Sequence, residues 1–190
     1  ENALGLANLD TGESISPATN FRLASVSKQF TAMSVQLLQQ QGMLRYEDSL
    51  PKYFPELAHI GDSISIKDLI CHTSGLTDYE DFVAENRQQQ VRDAEVLDIT
   101  AVQTRLLFPP GSQYRYSNTG YVLLALLVEK VSGLPYAEFL QQHIFKPLGM
   151  ADTVLYEAGK SIPNRAMGYA LNAAGEVTFS DQSTCSATKG

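Results

Sequence analysis

The sequence predicts an α+β chain in which helix outweighs strand. Three observations carry that expectation: a short alternating stretch at the front, helix-period or strongly apolar stretches in a run behind it, and turn residues between them. No low-complexity linker divides the 190 residues, so one domain spanning 1–190 is expected. A chain of that size buries roughly 70% of its unfolded surface, and holds together without a metal or a disulfide framework.

In chain order, Ala3 to Leu9 alternate loosely and Asp10-Thr11-Gly12 is a turn signal, which reads as a strand end running into a loop up to Asn20. Over Ser25 to Gln41 the apolar residues Val26, Phe30, Met33 and Leu37 recur at helical spacing, giving one buried face closed by Gly42. Pro51 to Pro55 breaks the chain. Ser65, with Asp68 three residues on, caps a short helix from Ile66 to Cys71, and His72-Thr73-Ser74-Gly75 is a loop. Phe108-Pro109-Pro110-Gly111 stops what precedes it. A strongly apolar helix then runs from about Thr119 to Ser132, closed by Gly133, and Pro135 suits the first turn of another that ends before Pro147. Beyond Met150 turn residues outnumber periodic ones.

Charge and composition exclude several functions. Forty-four per cent hydrophobic and 18% charged residues describe an ordinary globular chain. Fourteen basic against 21 acidic residues leave a net charge of −7, which argues against nucleic acid and anionic membrane as partners. Most of the surplus sits in Asp78, Glu80, Asp81, Glu85, Asp93, Glu95 and Asp98, opposed by Arg87 and Arg92. A solvated face or loop is the favoured reading of that run; a lip that repels anionic ligands is the other. The longest apolar run, Tyr121 to Val128, is too short to span a bilayer. Cys71 and Cys185 form no CxxC motif, and their spacing does not imply a disulfide. The front carries no basic, apolar-cored leader and starts at Glu1 rather than Met, which fits removal of an N-terminal piece and leaves the compartment open.

No GxGxxG, P-loop, HExxH or GxSxG pattern occurs. The histidines His59, His72 and His143 are scattered, so neither a metal site nor a cofactor is expected, and a hydrogen-bonding role is favoured for His72 over catalysis. What remains is Ser25-Val26-Ser27-Lys28, an S-x-x-K at the start of the first helix. Residues three apart on a helix are neighbours, and side chains lean towards its N-terminus, so the Lys28 amine reaches the Ser25 hydroxyl. A desolvated lysine can take a serine's proton in place of histidine, and the helix start offers N–H groups to a developing oxyanion. Alone, the pattern equally fits a serine N-cap beside a solvated lysine. Tyr116-Ser117-Asn118 strengthens it, because residues two apart in extended chain project to one side and bring a phenol and an amide to one cleft. Asn118 also reads as the cap of the following helix.

Four segments, in order, resemble the penicillin-recognising serine hydrolases, in the branch of class C β-lactamases, low-molecular-weight DD-peptidases and related esterases. Phe21-Arg22-Leu23-Ala24-Ser25-Val26-Ser27-Lys28-Gln29-Phe30-Thr31-Ala32 resembles the family's nucleophile segment, and Ile66 to Leu76 its histidine loop. Tyr114-Arg115-Tyr116-Ser117-Asn118-Thr119-Gly120-Tyr121 resembles the Y-x-N segment, and Pro147-Leu148-Gly149-Met150 the helix-ending signature.

The resemblance implies a β-lactamase-like fold and an acyl-enzyme on Ser25, formed from an amide or ester and then hydrolysed. Lys28 would be the proton acceptor or the charge that tunes Tyr116, Tyr116 the general base and acid, and Asn118 a ligand for the substrate amide. Which of Lys28 and Tyr116 takes the first proton stays open, since a close pair titrates as a unit. The backbone N–H of Ser25 would be one oxyanion donor. The family's other donor comes from a late strand bearing K-T-G or H-x-G, and neither pattern occurs. Thr188-Lys189-Gly190 has the wrong order, and Ser183 to Gly190 resembles a run before a mid-protein glycine-rich segment. The expectation is therefore mostly the helical subdomain with an incomplete antiparallel sheet, lacking the first strand and the C-terminal strands. The partner would be a small-molecule or peptide substrate (β-lactam, D-amino-acid peptide or carboxylic ester), in a periplasmic or secreted setting, with the oligomeric state open. The alternative is a non-catalytic binding or scaffold relative, or an inactive fragment.

Overall fold

The structure, a computed structural model, describes residues 2–84, 87, 89–157 and 159–180. Cys185 and the segment Ser183 to Gly190, with its Thr188-Lys189-Gly190, lie outside the described residues. The chain is α+β, as its sequence predicted: helices form the core, and two small antiparallel hairpins stand at the front and the end.

At the front, β1 (Leu6–Asn8) pairs with β2 (Glu13–Ser14). The Asn8 side chain accepts the N–H groups of Asp10 (2.9 Å) and Thr11 (3.2 Å), and Gly12 takes a left-handed φ of 72°, so the turn closes through its own polar atoms. A short 3₁₀ turn, Ala24–Ser27, then leads into α1 (Lys28–Gln40). Gly42, φ 72°, ends this helix, with the Met43 N–H returning to the Leu38 carbonyl. Two short helices follow, α2 (Ala58–Gly61) and α3 (Ile66–Ile70). The α3 start is a capping box: Ser65 Oγ accepts the Asp68 N–H, and Asp68 Oδ2 accepts the Ser65 N–H.

The acidic stretch contains α4 (Asp93–Ala101). Next come α5 (Asn118–Ser132), closed by Gly133 at φ 74°, and α6 (Tyr136–Leu140), which widens into a π-type turn over Gln141–Phe145. α5 is the centre of the core, packed against α1, α3, α4 and α6. That is why its sequence is apolar on every side: Val122, Leu123, Leu124, Ala125, Leu127 and Val128 are wholly buried. Each such valine or leucine contributes about 1.5–3 kcal/mol through removal from water.

Two expectations are corrected here. The first helix is not one continuous α-helix from Ser25, because its first turn is 3₁₀ and the α-helix begins at Lys28. Its buried face is also not Val26, Phe30, Met33 and Leu37. Lys28, Thr31, Ser34, Val35 and Leu38 are the buried residues, whereas Val26 and Met33 are about half exposed and Phe30 and Leu37 sit at the core margin. Polar residues can occupy that face because their partners are inside: Thr31 shares a 2.6 Å hydroxyl contact with Tyr136, and Ser34 donates to the Phe30 carbonyl.

The tail holds a hairpin that hydrophobic period did not reveal, β3 (Tyr169–Leu171) with β4 (Val177–Phe179). Both strands are largely exposed, so no alternation marks them. Its turn is built on Asn172, whose side chain accepts the N–H groups of Ala174 and Glu176. Tyr169 Oη accepts the Leu9 N–H, and Met167 N–H donates to the Ala7 carbonyl, tying this tail to the front hairpin. Among the described residues no helix is long and apolar enough to cross a membrane.

Candidate active site

The turn that carries Ser25 starts with an unusual backbone. Ala24 has φ 47°, a left-handed conformation uncommon for a residue with a Cβ, and it redirects the chain so that Ser25 precedes α1 by one tight turn. Lys28 is the first residue of α1 and only 8% exposed, because α5 lies over it. Its Nζ donates to Ser25 Oγ at 3.4 Å and to Asn118 Oδ1 at 2.9 Å. The same ammonium stands 5.2 Å from the ring centroid of Tyr116 and 5.4 Å from that of Tyr121.

Tyr116 Oη stands 2.5 Å from Ser25 Oγ, closer than Lys28 Nζ. All four residues expected from the sequence, Ser25, Lys28, Tyr116 and Asn118, thus converge in one hydrogen-bonded group. Two refinements come with the geometry. Ser117, extended at φ −145°, is the N-cap of α5, and Asn118 is the first residue of the helix. The Asn118 side chain is therefore not used in capping, and its two ends are engaged elsewhere: Oδ1 accepts from Lys28, and Nδ2 donates to Glu80 Oε1 at 3.1 Å.

His72 supplies the platform for Tyr116. The Arg115 N–H donates to the His72 carbonyl at 2.9 Å, and the Ser117 N–H donates to His72 Nδ1 at 3.2 Å, so backbone and ring grip the residues on either side of Tyr116. The imidazole stacks on the Tyr116 ring at 4.6 Å, tilts against Tyr121 at 5.0 Å and meets Tyr114 edge-on at 5.9 Å. Accepting at Nδ1 requires the neutral ring with its proton on Nε2. Burial lowers the His72 pKa, and the nearby Lys28 charge lowers it further. The hydrogen-bonding role favoured for His72 is the one its contacts describe. His59 Nε2 contacts the Gln103 carbonyl, and His143 lies against the Phe139 ring, both away from this group.

Sequence reasoning missed Asp78, Glu80 and Tyr121. The acidic run was visible, but the solvated reading fits only part of it: Glu95 is bound bidentately by Arg87, while Asp78 and Glu80 bond Asn118 at the start of α5. Asp78 accepts the Asn118 N–H at 2.5 Å and the Glu80 N–H at 3.2 Å, a carboxylate at the positive end of α5. Tyr79 N–H to Thr119 Oγ1 (2.7 Å), and that hydroxyl to the Thr77 carbonyl (3.1 Å), complete the attachment of this loop to the helix start. Burial raises the Glu80 pKa, and the Asp78 charge adds to the effect. Among the described residues no set of three His, Cys, Asp or Glu side chains is placed to hold a metal ion. A cavity of about 350 Å³ opens beside the same turn, between Phe21, Ala24, Ser27, Phe30 and Tyr136, but Ser25, Lys28, Tyr116 and Asn118 do not line it. These four side chains lie outside it, and Tyr116 is 42% exposed.

Known proteins share this arrangement of chain. The Beta-lactamase family model matches residues 1–188. Penicillin-binding protein 4* of Bacillus subtilis is 35% identical over 181 residues, 92% of this chain, and the chain spans only 40% of that protein's length. Among solved structures, a penicillin binding protein from Bacillus halodurans superposes with a TM-score of 0.82 at 27% identity, over 95% of this chain and 55% of that one. D-amino acid amidase from Ochrobactrum anthropi SV3 matches with a TM-score of 0.78 at 30% identity, over 90% of this chain and 49% of that one. With a match over nearly the whole chain and the S-x-x-K and Y-x-N residues in mutual contact, this chain belongs to the beta-lactamase family.

Proposed function

We propose that the protein containing this chain is a serine hydrolase that cleaves an amide or ester through an acyl-enzyme on Ser25. The observation that carries the reading is the 2.5 Å contact between Ser25 Oγ and Tyr116 Oη, with the Lys28 ammonium 3.4 Å from the same serine. In acylation the Ser25 hydroxyl proton enters the Tyr116–Lys28 pair as Oγ bonds the substrate carbonyl carbon. The pair returns that proton to the leaving nitrogen or oxygen as its bond to carbon breaks. In deacylation a water gives a proton to the pair while its oxygen bonds the acyl carbonyl carbon; the bond from that carbon to Ser25 Oγ then breaks, the carboxylic acid leaves, and the proton restores the serine hydroxyl. Of the two groups, the shorter contact favours Tyr116 as the direct partner. Lys28 then holds positive charge beside it and keeps Asn118 Oδ1 turned inward. Asn118 Nδ2 spends one hydrogen on Glu80 and has a second to offer a substrate carbonyl.

Penicillin-binding and D-amino acid amidase relatives support amide bonds adjacent to D-configured centres as the substrate class, with carboxylic esters handled by the same groups. Ser25→Ala tests the proposal. The full-length protein, treated with an activated ester and with a fluorescent penicillin, gains one acyl mass located on Ser25, and the variant gains none. An adduct that persists in Ser25→Ala refutes the assignment.

A further inference from the structure

The Glu80 carboxylate has one oxygen on the Asn118 amide, and that amide is itself bonded to Lys28 and through it to Ser25. Glu80 is thus three hydrogen-bonded contacts from the nucleophile, and it is an exposed residue at the start of the loop that Asp78 fixes to α5. Its neighbour Asp81 lies 4.0 Å from Arg115, and Glu95 is held by Arg87. No lysine, arginine or histidine among the described residues forms an ion pair with Glu80. Its side-chain partners are neutral, Asn118 Nδ2 at 3.1 Å and Tyr79 Oη at 3.5 Å, both on Oε1. One carboxylate oxygen is therefore directed by the site, and the other is available to a ligand.

Resting on the hydrolase reading above, we infer that Glu80 sets substrate specificity: it selects amides or esters whose acyl part carries a cationic amine close to the scissile carbonyl. A substrate carbonyl seated at Ser25 with its neighbouring group on Asn118 brings an adjacent ammonium towards Glu80, where a charge-assisted hydrogen bond forms. The Lys28 ammonium repels the same cation, so the position of Glu80 on the far side of Asn118 determines where the amine sits. An acyl group with the amine blocked loses that bond and leaves the carboxylate unpaired. An acyl group carrying an anion at that point meets like charge.

The test uses the full-length protein and two pairs of probes: alanine p-nitroanilide, in both configurations, each against its N-acetylated counterpart. Wild type is expected to favour the free amine by about 10- to 100-fold in kcat/KM. In Glu80→Gln, whose amide oxygen still accepts from Asn118, that preference, read as the ratio of kcat/KM within each pair, falls to within about threefold. Glu80→Lys reverses the preference. Equal kcat/KM for both members of each pair in wild type, or an equal loss on both in Glu80→Gln, overturns the inference. Activated-ester labelling of Ser25 is measured in parallel: labelling without amine preference sinks only the Glu80 role, and absence of labelling sinks the hydrolase reading beneath it.

Discussion

Replacing Tyr116 by phenylalanine separates chemistry from architecture at this site. The substitution removes Oη, 2.5 Å from Ser25 Oγ, and leaves the ring that stacks on His72 at 4.6 Å and lies 5.2 Å from Lys28 Nζ. Because the residue is 42% exposed, the lost hydroxyl contact is replaced by water, and stability is expected to fall by no more than about 1 kcal/mol. Proton transfer is a different matter. A positioned acid–base group supplies a factor of about 10²–10⁴, which corresponds to about 3–5 kcal/mol of barrier. Acylation of the full-length protein is followed by intact mass in single-turnover mode, and folding by urea midpoint. The loss is expected to be larger for an amide than for an activated ester, since only the amide requires a proton on its leaving group. Lys28→Met is expected to act on the same step, and the double variant to lose little more than either single one. If Tyr116→Phe acylates within threefold of wild type on the amide, or if its rate loss is matched by a loss of folding stability above about 2 kcal/mol, the assignment of the phenol fails.

Three further outcomes are expected. Asp78→Ala leaves the N–H groups of Asn118 and Glu80 without their carboxylate, and urea unfolding is expected to show a loss of about 2 kcal/mol together with slower Ser25 acylation; a change below about 0.5 kcal/mol refutes the capping role. Gly75→Ala forces a Cβ to 2.3 Å from the Phe108 carbonyl oxygen at a residue with φ 76°, and is expected to cost about 3 kcal/mol or more, visible as reduced soluble yield and an early urea midpoint; a midpoint equal to wild type refutes the clash. His72 has a folded pKa below its ordinary 6.5, so the unfolded chain binds its proton more readily. The stability it contributes is complete above about pH 6.5 and is lost as pH falls through that value towards the lower folded pKa. His72→Asn is expected to flatten that slope between pH 7.5 and 5.5 in urea unfolding, and an unchanged slope removes His72 as its source.

Local chemistry made much of this chain legible in advance. The Ser65/Asp68 capping box, the helix ends at Gly42 and Gly133, and the uniformly apolar α5 depend on neighbours within a few residues, and each stands where the sequence placed it. Burial of α1 does not depend on near neighbours. Its apolar stripe at Val26 and Met33 is exposed while Lys28, Thr31 and Ser34 are covered, because the face is chosen by where α5 lies, 90 residues away along the chain at Asn118. The tail hairpin escaped notice for a related reason, since strands exposed on both sides need no alternation.

By itself the sequence determined the residue types of the site and their two local groupings, Ser25 with Lys28 and Tyr116 with Asn118, because residues three apart on a turn and two apart on an extended segment share a side whatever the rest of the chain does. Tertiary structure alone decided that Tyr116 rather than Lys28 makes the short contact to the serine. It also decided that His72 underlies the phenol and that Asp78 and Glu80, from the acidic run, bond Asn118. Those contacts join residues about 40 to 90 positions apart, and only the packing of α1 and the 77–80 loop against α5 sets which of the available side chains meet.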